Sequence, residues 1–141
     1  MCIRDSSGAG HHFPTYLVPE VLLHLEYVDA SGQVSGLARY LLAWRANLAL
    51  TEELFDKRLA AGEAVSLTGK KNNAEPGGSI RLRVSVAPRQ HYVRTFESYL
   101  NANRDALNQE TLALLQQAIS ESKATEYEYI AAEQSLAGVA N

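Results

Sequence analysis

Nine consecutive residues, Ser79 to Ala87, alternate without interruption: Ile80, Leu82, Val84 and Val86 stand against Arg81, Arg83, Ser85 and Ala87. A two-residue period belongs to a pleated strand with one buried face, because successive side chains leave the backbone on opposite sides. A second stretch repeats the pattern. Val21, Leu23, Leu25 and Tyr27 share one face, and Leu22, His24, Glu26 and Val28 the other. Asp29-Ala30-Ser31-Gly32 follows, with an aspartate to start a turn and a glycine to accept positive φ, so a return strand is expected from about Gln33.

The rest is read around these two strands. Residues 37–50 carry Leu37, Tyr40, Leu41, Trp44 and Leu48 at spacings that also suit a helix; strand is expected over 37–45. A loop at Leu59–Gly62 precedes a short strand from Glu63 to Leu67, and the Lys-, Asn-, Gly- and Pro-rich stretch 70–79 reads as an exposed connection. After Pro88 the period shifts toward helix. Leu107, Leu112, Leu115 and Ile119, with Leu114 and Ala118, predict one apolar stripe on a helix over about 104–122, with a tail from Ala131 that extends it briefly and frays. The expected architecture is mainly β: an immunoglobulin-like antiparallel β-sandwich over residues 7–100, incomplete at its N-terminal edge. A C-terminal helical segment, residues 101–141, is expected to pack on it.

Composition removes several classes of function. The 141 residues suit one domain, and 13 basic against 16 acidic residues, net charge -3, offer no basic stripe for a phosphate backbone, so nucleic acid is not an expected partner. No apolar run approaches the roughly 20 residues that span a bilayer, since Arg39 and Arg45 break the richest stretch. The one cysteine, Cys2, can form neither an internal disulfide nor a thiolate cluster, and no Cys-x-x-Cys-His haem-attachment sequence is present. Met1-Cys2-Ile3-Arg4-Asp5-Ser6 resembles the translation of a transposase adapter used in sequencing-library preparation, so residues 1–6 are read as non-native and the chain as a piece joined in mid-gene. The strand leading into Gly8 would then be replaced, leaving an open sheet edge prone to self-association.

Chemistry concentrates in Gly10-His11-His12-Phe13-Pro14-Thr15, two imidazoles on a turn beside a rigid proline. A neutral imidazole nitrogen can ligate a metal or haem iron axially, and neighbours in an extended chain point to opposite faces, so at most one of the two serves. His24 reads as an ordinary surface histidine beside Glu26, and His91 follows a strand end without a partner at ligand spacing. No Gly-x-Ser-x-Gly elbow or His-Glu-x-x-His helix is present, and Gly77-Gly78 is too short for a phosphate loop. Trp44, Tyr92, Phe96 and Tyr99 could form a ligand platform but are expected to pack the core; Glu52, Glu53, Asp56 and Glu63 near Lys57 and Arg58 read as solvated charge, as do Arg81 and Arg83.

Ser7 to Thr15 resembles the G-A-G-H-x-F-P-T segment of C-terminal domains in multihaem c-type cytochromes. Three later stretches are similar in order: Phe55 to Leu59 with Gly62-Glu63 to its F-D-x-R-x-x-x-G-E loop, Arg81 to Glu97 to its strand and P-x-x-x-Y-x-R-x-F-E, and Leu114 to Tyr129 to its closing helix. The resemblance implies an accessory domain of a periplasmic electron-transfer protein whose haem c groups are held upstream, with the haem-bearing domain and redox proteins as partners and no haem bound covalently here. By position it makes His11 a candidate axial ligand to haem iron, while His12 falls at the variable position. Gln90 stands where the family's second histidine is expected, with His91 beside it. Two other readings compete: an immunoglobulin-like protein- or sugar-binding module using the aromatic residues, and a metal enzyme built on His11 or His12, which would need further converging ligands.

Overall fold

The computed structural model describes the backbone of residues 5–6 and the whole of residues 11–74 and 76–136. Strand exceeds helix, 38% against 26%, and all pairing is antiparallel, so the expected mainly β, sandwich-like class holds. Strands β1 (Asp5–Ser6) and β6 (Ala64–Val65) form one short ribbon, and β4 (Trp44–Ala46) and β5 (Glu53–Asp56) another. The main sheet has the order β3-β2-β7-β8, from Val34–Leu42, Glu20–Val28, Ser79–Ala87 and Tyr127–Ser135. Met1 to Arg4, most of the segment read as non-native, lie outside the described residues, as do Ser7 to Gly10. Asp5 and Ser6 pair with Val65 and Ala64, through backbone groups that any residue supplies.

Alternation decides the core. Val21, Leu23 and Leu25 of β2 lie between Leu42, Tyr40 and Ala38 of β3 and Val86, Val84 and Leu82 of β7. Leu59 and Leu67, from the segment between β5 and β7, close over the same face and complete the buried cluster. The Asp29 turn forms as expected: its carboxylate accepts the Ser31 and Gln33 N–H groups, both at 2.9 Å, and Gly32 takes φ 87°. Glycine is compelled at Gly78, where a Cβ would stand 2.6 Å from the Tyr27 hydroxyl. The run 37–45 is strand, broken at Ala43, whose carbonyl accepts the Lys57 N–H at 2.9 Å.

Two expectations at the C-terminal end are corrected. The helical stretch is two helices, α1 (Gln90–Asn103) and α2 (Gln109–Lys123), parted by a single 3₁₀ turn. Asn108 is the reason: its backbone is extended (ψ 162°) and its side chain caps α2 by accepting from the Thr111 N–H at 2.8 Å. The tail from Ala131 does not extend a helix and fray; to Ser135 it belongs to β8 (Tyr127–Ser135), paired along β7 from Val86↔Tyr127 to Ser79↔Ser135. Tyr127, Tyr129 and Ile130 favour strand, and β7 offers a free row of N–H and C=O groups for them. The expected stripe on α2 lies half-buried along α1, except Leu114, which is exposed. Helix α1 makes the link to the sheet: the His91 N–H donates to the Val18 carbonyl at 3.2 Å, and Arg94 pairs with Glu20 of β2.

Candidate functional site

The loop from His11 to Tyr16 is clamped to the Asp56–Leu59 segment. Phe13 and Leu59 exchange two backbone hydrogen bonds of 2.8 Å, and the buried ring of Pro14 follows a cis peptide. Arg58 reaches the Thr15 carbonyl at 3.5 Å, stacks 4.2 Å over the Trp44 ring, and holds Asp56 through two bonds of 2.9 and 2.6 Å. That bidentate guanidinium lowers the Asp56 carboxyl to about 2. The first two segments that carry the family resemblance thus meet in space, 43 residues apart in the chain.

Within this loop His11 is exposed, and its Nδ1 stands 3.1 Å from the His12 carbonyl and 3.1 Å from Thr15 Oγ1. With the hydrogen on Nε2, Nδ1 accepts from the Thr15 hydroxyl and the His12 carbonyl gets nothing from the ring; the neutral tautomer that serves both oxygens carries its hydrogen on Nδ1. Nε2 then keeps its lone pair and has no partner among the described residues. Such an arrangement orients metal-ligating histidines generally: the far nitrogen is tied to a carbonyl and the near one is left basic. The residues present fit a single axial bond to iron supplied from elsewhere; no group of three acidic, histidine or cysteine side chains placed to hold a metal ion occurs among the described residues. His12 is exposed beside it.

The other sequence candidates fall elsewhere. His24 is half-buried on the outer sheet face, 3.1 Å from Ser85 Oγ, and burial, followed by the Arg83 charge, lowers its pKa. His91 is buried in the first turn of α1 with Nδ1 unpartnered; burial and then the Arg94 charge lower its pKa. Trp44, Phe96, Tyr92 and Tyr99 do not fill the core as expected. Tyr92 and Tyr99 are about half exposed, Tyr92 stacks on Phe96 at 6.3 Å, and Trp44 donates to Glu53 at 2.7 Å. The charges at 52–63 are exposed in the main, as expected.

Arg81 and Arg83 are also corrected. Both donate to Glu26, at 2.8 and 2.9 Å, and Arg83 continues to Glu128 at 2.6 Å. Glu26 is buried, and without these guanidiniums its charge would be costly. A second buried carboxylate, Glu20, went unnoticed in the sequence. It takes a bidentate pair from Arg45 at 2.8 Å and a contact from Arg94. Burial alone would raise both carboxyl pKa values; the hydrogen bonds from the arginines outweigh it and hold both below the usual value. Arg45 and Arg94 lie 25 and 74 residues from Glu20 in sequence, a separation no local pattern reveals.

Compared with protein-family profiles, curated proteins and solved structures, the chain matches none.

Proposed function

We propose that this chain is the C-terminal accessory domain of a periplasmic multihaem c-type cytochrome, in which His11 ligates the iron of a haem c held by an upstream part of the same protein. The observation that carries the reading is the His11 ring, tied at Nδ1 to the His12 carbonyl and Thr15 hydroxyl, with Nε2 unpartnered among the described residues. Haem, when bound, supplies one-electron chemistry; the chain's own part is to present one basic nitrogen in a fixed orientation. The clamp from Phe13 to Leu59 and from Arg58 to the Thr15 carbonyl anchors that orientation to the sheet layer. The upstream haem domain and redox proteins are its partners.

Sequencing across the genomic locus tests this first. Several Cys-x-x-Cys-His motifs behind a secretory leader, in frame with Ser7, are the expected result; a complete frame without them removes the reading. In the whole protein, His11→Ala then converts one haem from six- to five-coordinate, read as a high-spin signal in the absorption and paramagnetic resonance spectra. The half-exposed aromatic residues of α1, Tyr92 and Tyr99, favour as a second reading a protein- or sugar-binding module, which a frame without haem motifs would leave in front.

A further inference from the structure

Across the outer face of the main sheet three basic side chains stand abreast: Arg39 of β3 and Arg83 of β7 are each the direct cross-strand partner of His24 on β2. Like charges set opposite one another in a sheet repel, and here the neighbouring carboxylates are already engaged. Glu26 accepts from Arg81 and Arg83, and Glu128 from Arg83 and the Ser85 hydroxyl. Arg39 is exposed and has no hydrogen-bond or ion-pair partner among the described residues. Beside the row the Leu37 bulge interrupts the β2–β3 ladder. A pocket of about 440 Å³ opens there, with His24, Glu26, Gly36, Arg39 and Arg83 among its lining; its size falls in the range of small-molecule sites, roughly 300–1,000 Å³.

Gly36 keeps that pocket open. Its backbone is not left-handed and a Cβ built on it would meet nothing within 4 Å, so neither strain nor packing calls for glycine; what the missing side chain leaves is room beside Glu26, its cross-strand partner. We infer that this pocket binds a small carboxylate, its charge held by the Arg39 and Arg83 guanidiniums beside His24. The unengaged planar fork of Arg39 suits a carboxylate in two parallel hydrogen bonds. Two guanidiniums against the one carboxylate of Glu26 in the lining leave a place for one negative charge rather than two. Binding is linked to the proton of His24. Ser85 spends its hydrogen on Glu128 at 2.6 Å, so the tautomer that also bonds Ser85, at 3.1 Å, carries its hydrogen on Nε2, and a second proton goes to Nδ1. Burial, then the Arg83 charge, with Arg39 adding to both, hold the imidazole below its ordinary pKa against the opposite pull of Glu26 and Glu128. An anion beside both arginines offsets their charge and draws the second proton onto the ring.

Formate is the probe, a planar monoanion that stays ionised where imidazole titrates. The readout is the pH titration of the His24 ring signals in the 141-residue chain, assigned by their loss in His24→Gln. Saturating formate is expected to raise the His24 pKa by about one unit, which corresponds to about tenfold tighter binding to the charged ring, while the rings of His11 and His12 do not respond. Arg39→Gln should remove the shift. Gly36→Val should remove it too, by filling the pocket without altering any charge. Both positions are exposed and valine favours strand; circular dichroism checks the fold, and Arg39→Gln carries the test should valine disturb it. No shift with formate, a shift that persists in either folded variant, or one that sodium chloride reproduces at equal ionic strength overturns the inference. Sulfate, with two charges, is expected to act more weakly than formate; a stronger effect would overturn the assignment to a carboxylate. None of these outcomes depends on His11, so the pocket and the haem reading fail or hold separately.

Discussion

Glu20 shows how much one carboxylate can organise. It is 8% exposed, and the arginines that neutralise it come from β4 and α1, so a single side chain ties the sheet, the β4–β5 ribbon and the helices together. Glu20→Gln leaves two guanidiniums facing each other without a counter-charge. It is expected to cost about 2–3 kcal/mol, less than a fully buried pair because both arginines keep some solvent, read as a lower urea midpoint with an unchanged slope. Acid should act through the same groups. Glu20, Glu26 and Asp56 all have folded pKa values below their ordinary ones, Asp56 at about 2. Depressed carboxyls bind fewer protons folded than unfolded, so their stabilisation is complete above about pH 4.5 and is lost as pH falls through the folded values toward about 2. Equilibrium unfolding in urea at stepped pH should therefore show a gradual fall below about pH 6.5, where His24 and His91, with lowered folded pKa values, take up protons more readily in the unfolded chain, and a steeper fall below about pH 4.5; a midpoint that holds at pH 3 would remove the carboxylate pairs from the account.

At the scale of elements, both outer strands of the main sheet are bulged, at adjacent levels on either side of the Leu25–Leu82 pair. On β3 the extra residue is Leu37, between Leu25↔Ala38 and Glu26↔Gly36; on β8 it is Ala131, between Leu82↔Ala132 and Arg83↔Ile130. A bulge twists an edge and interrupts the row of free N–H and C=O groups that another chain could use. The open edge expected at the strand leading into Gly8 lies outside the described residues; the edges of the main sheet, β3 and β8, each carry their own protection. Deleting Ala131 restores an unbroken register, 130 opposite 83 and 132 opposite 82. The variant is expected to stay folded and to associate in a concentration-dependent way, seen by sedimentation velocity beside a wild-type chain that does so less. Equal behaviour of the two would show that the bulge serves only to aim Ile130 and Tyr129.

For the molecule as a whole, the chain leaves the sheet after β7, builds the two helices, and returns to pair with the strand it left. The helical hairpin is therefore an insertion in a β-hairpin, and β8 is what closes it. Ending the chain after Lys123 would strip β7 of one ladder and expose Leu82 and Val84, both 4% exposed in the full fold. The expected outcome is loss of the cooperative thermal transition and of amide dispersion in solution spectra; a truncated chain that melts sharply would mean that β8 is an accessory strand.

What the sequence determined by itself were the features written in short-range order. The alternation in Val21–Val28 and Ser79–Ala87 named the inner face residue by residue, the Asp29–Gly32 turn joined β2 to β3, and His11 stood out as an imidazole on a turn. Tertiary structure decided the rest. Whether Tyr127-Glu128-Tyr129-Ile130 continues a helix or becomes a strand depends on β7 presenting an unpaired edge about 45 residues away. Arg81 and Arg83 look solvated until Glu26 of the neighbouring strand is brought beneath them. Where the His11 loop is held follows from its clamp to Arg58 and Leu59, far away in sequence. Periodicity records which way a side chain faces, because that is a property of the local backbone; which partner it finds is a property of chain segments far apart in sequence, and only the packed fold brings those together.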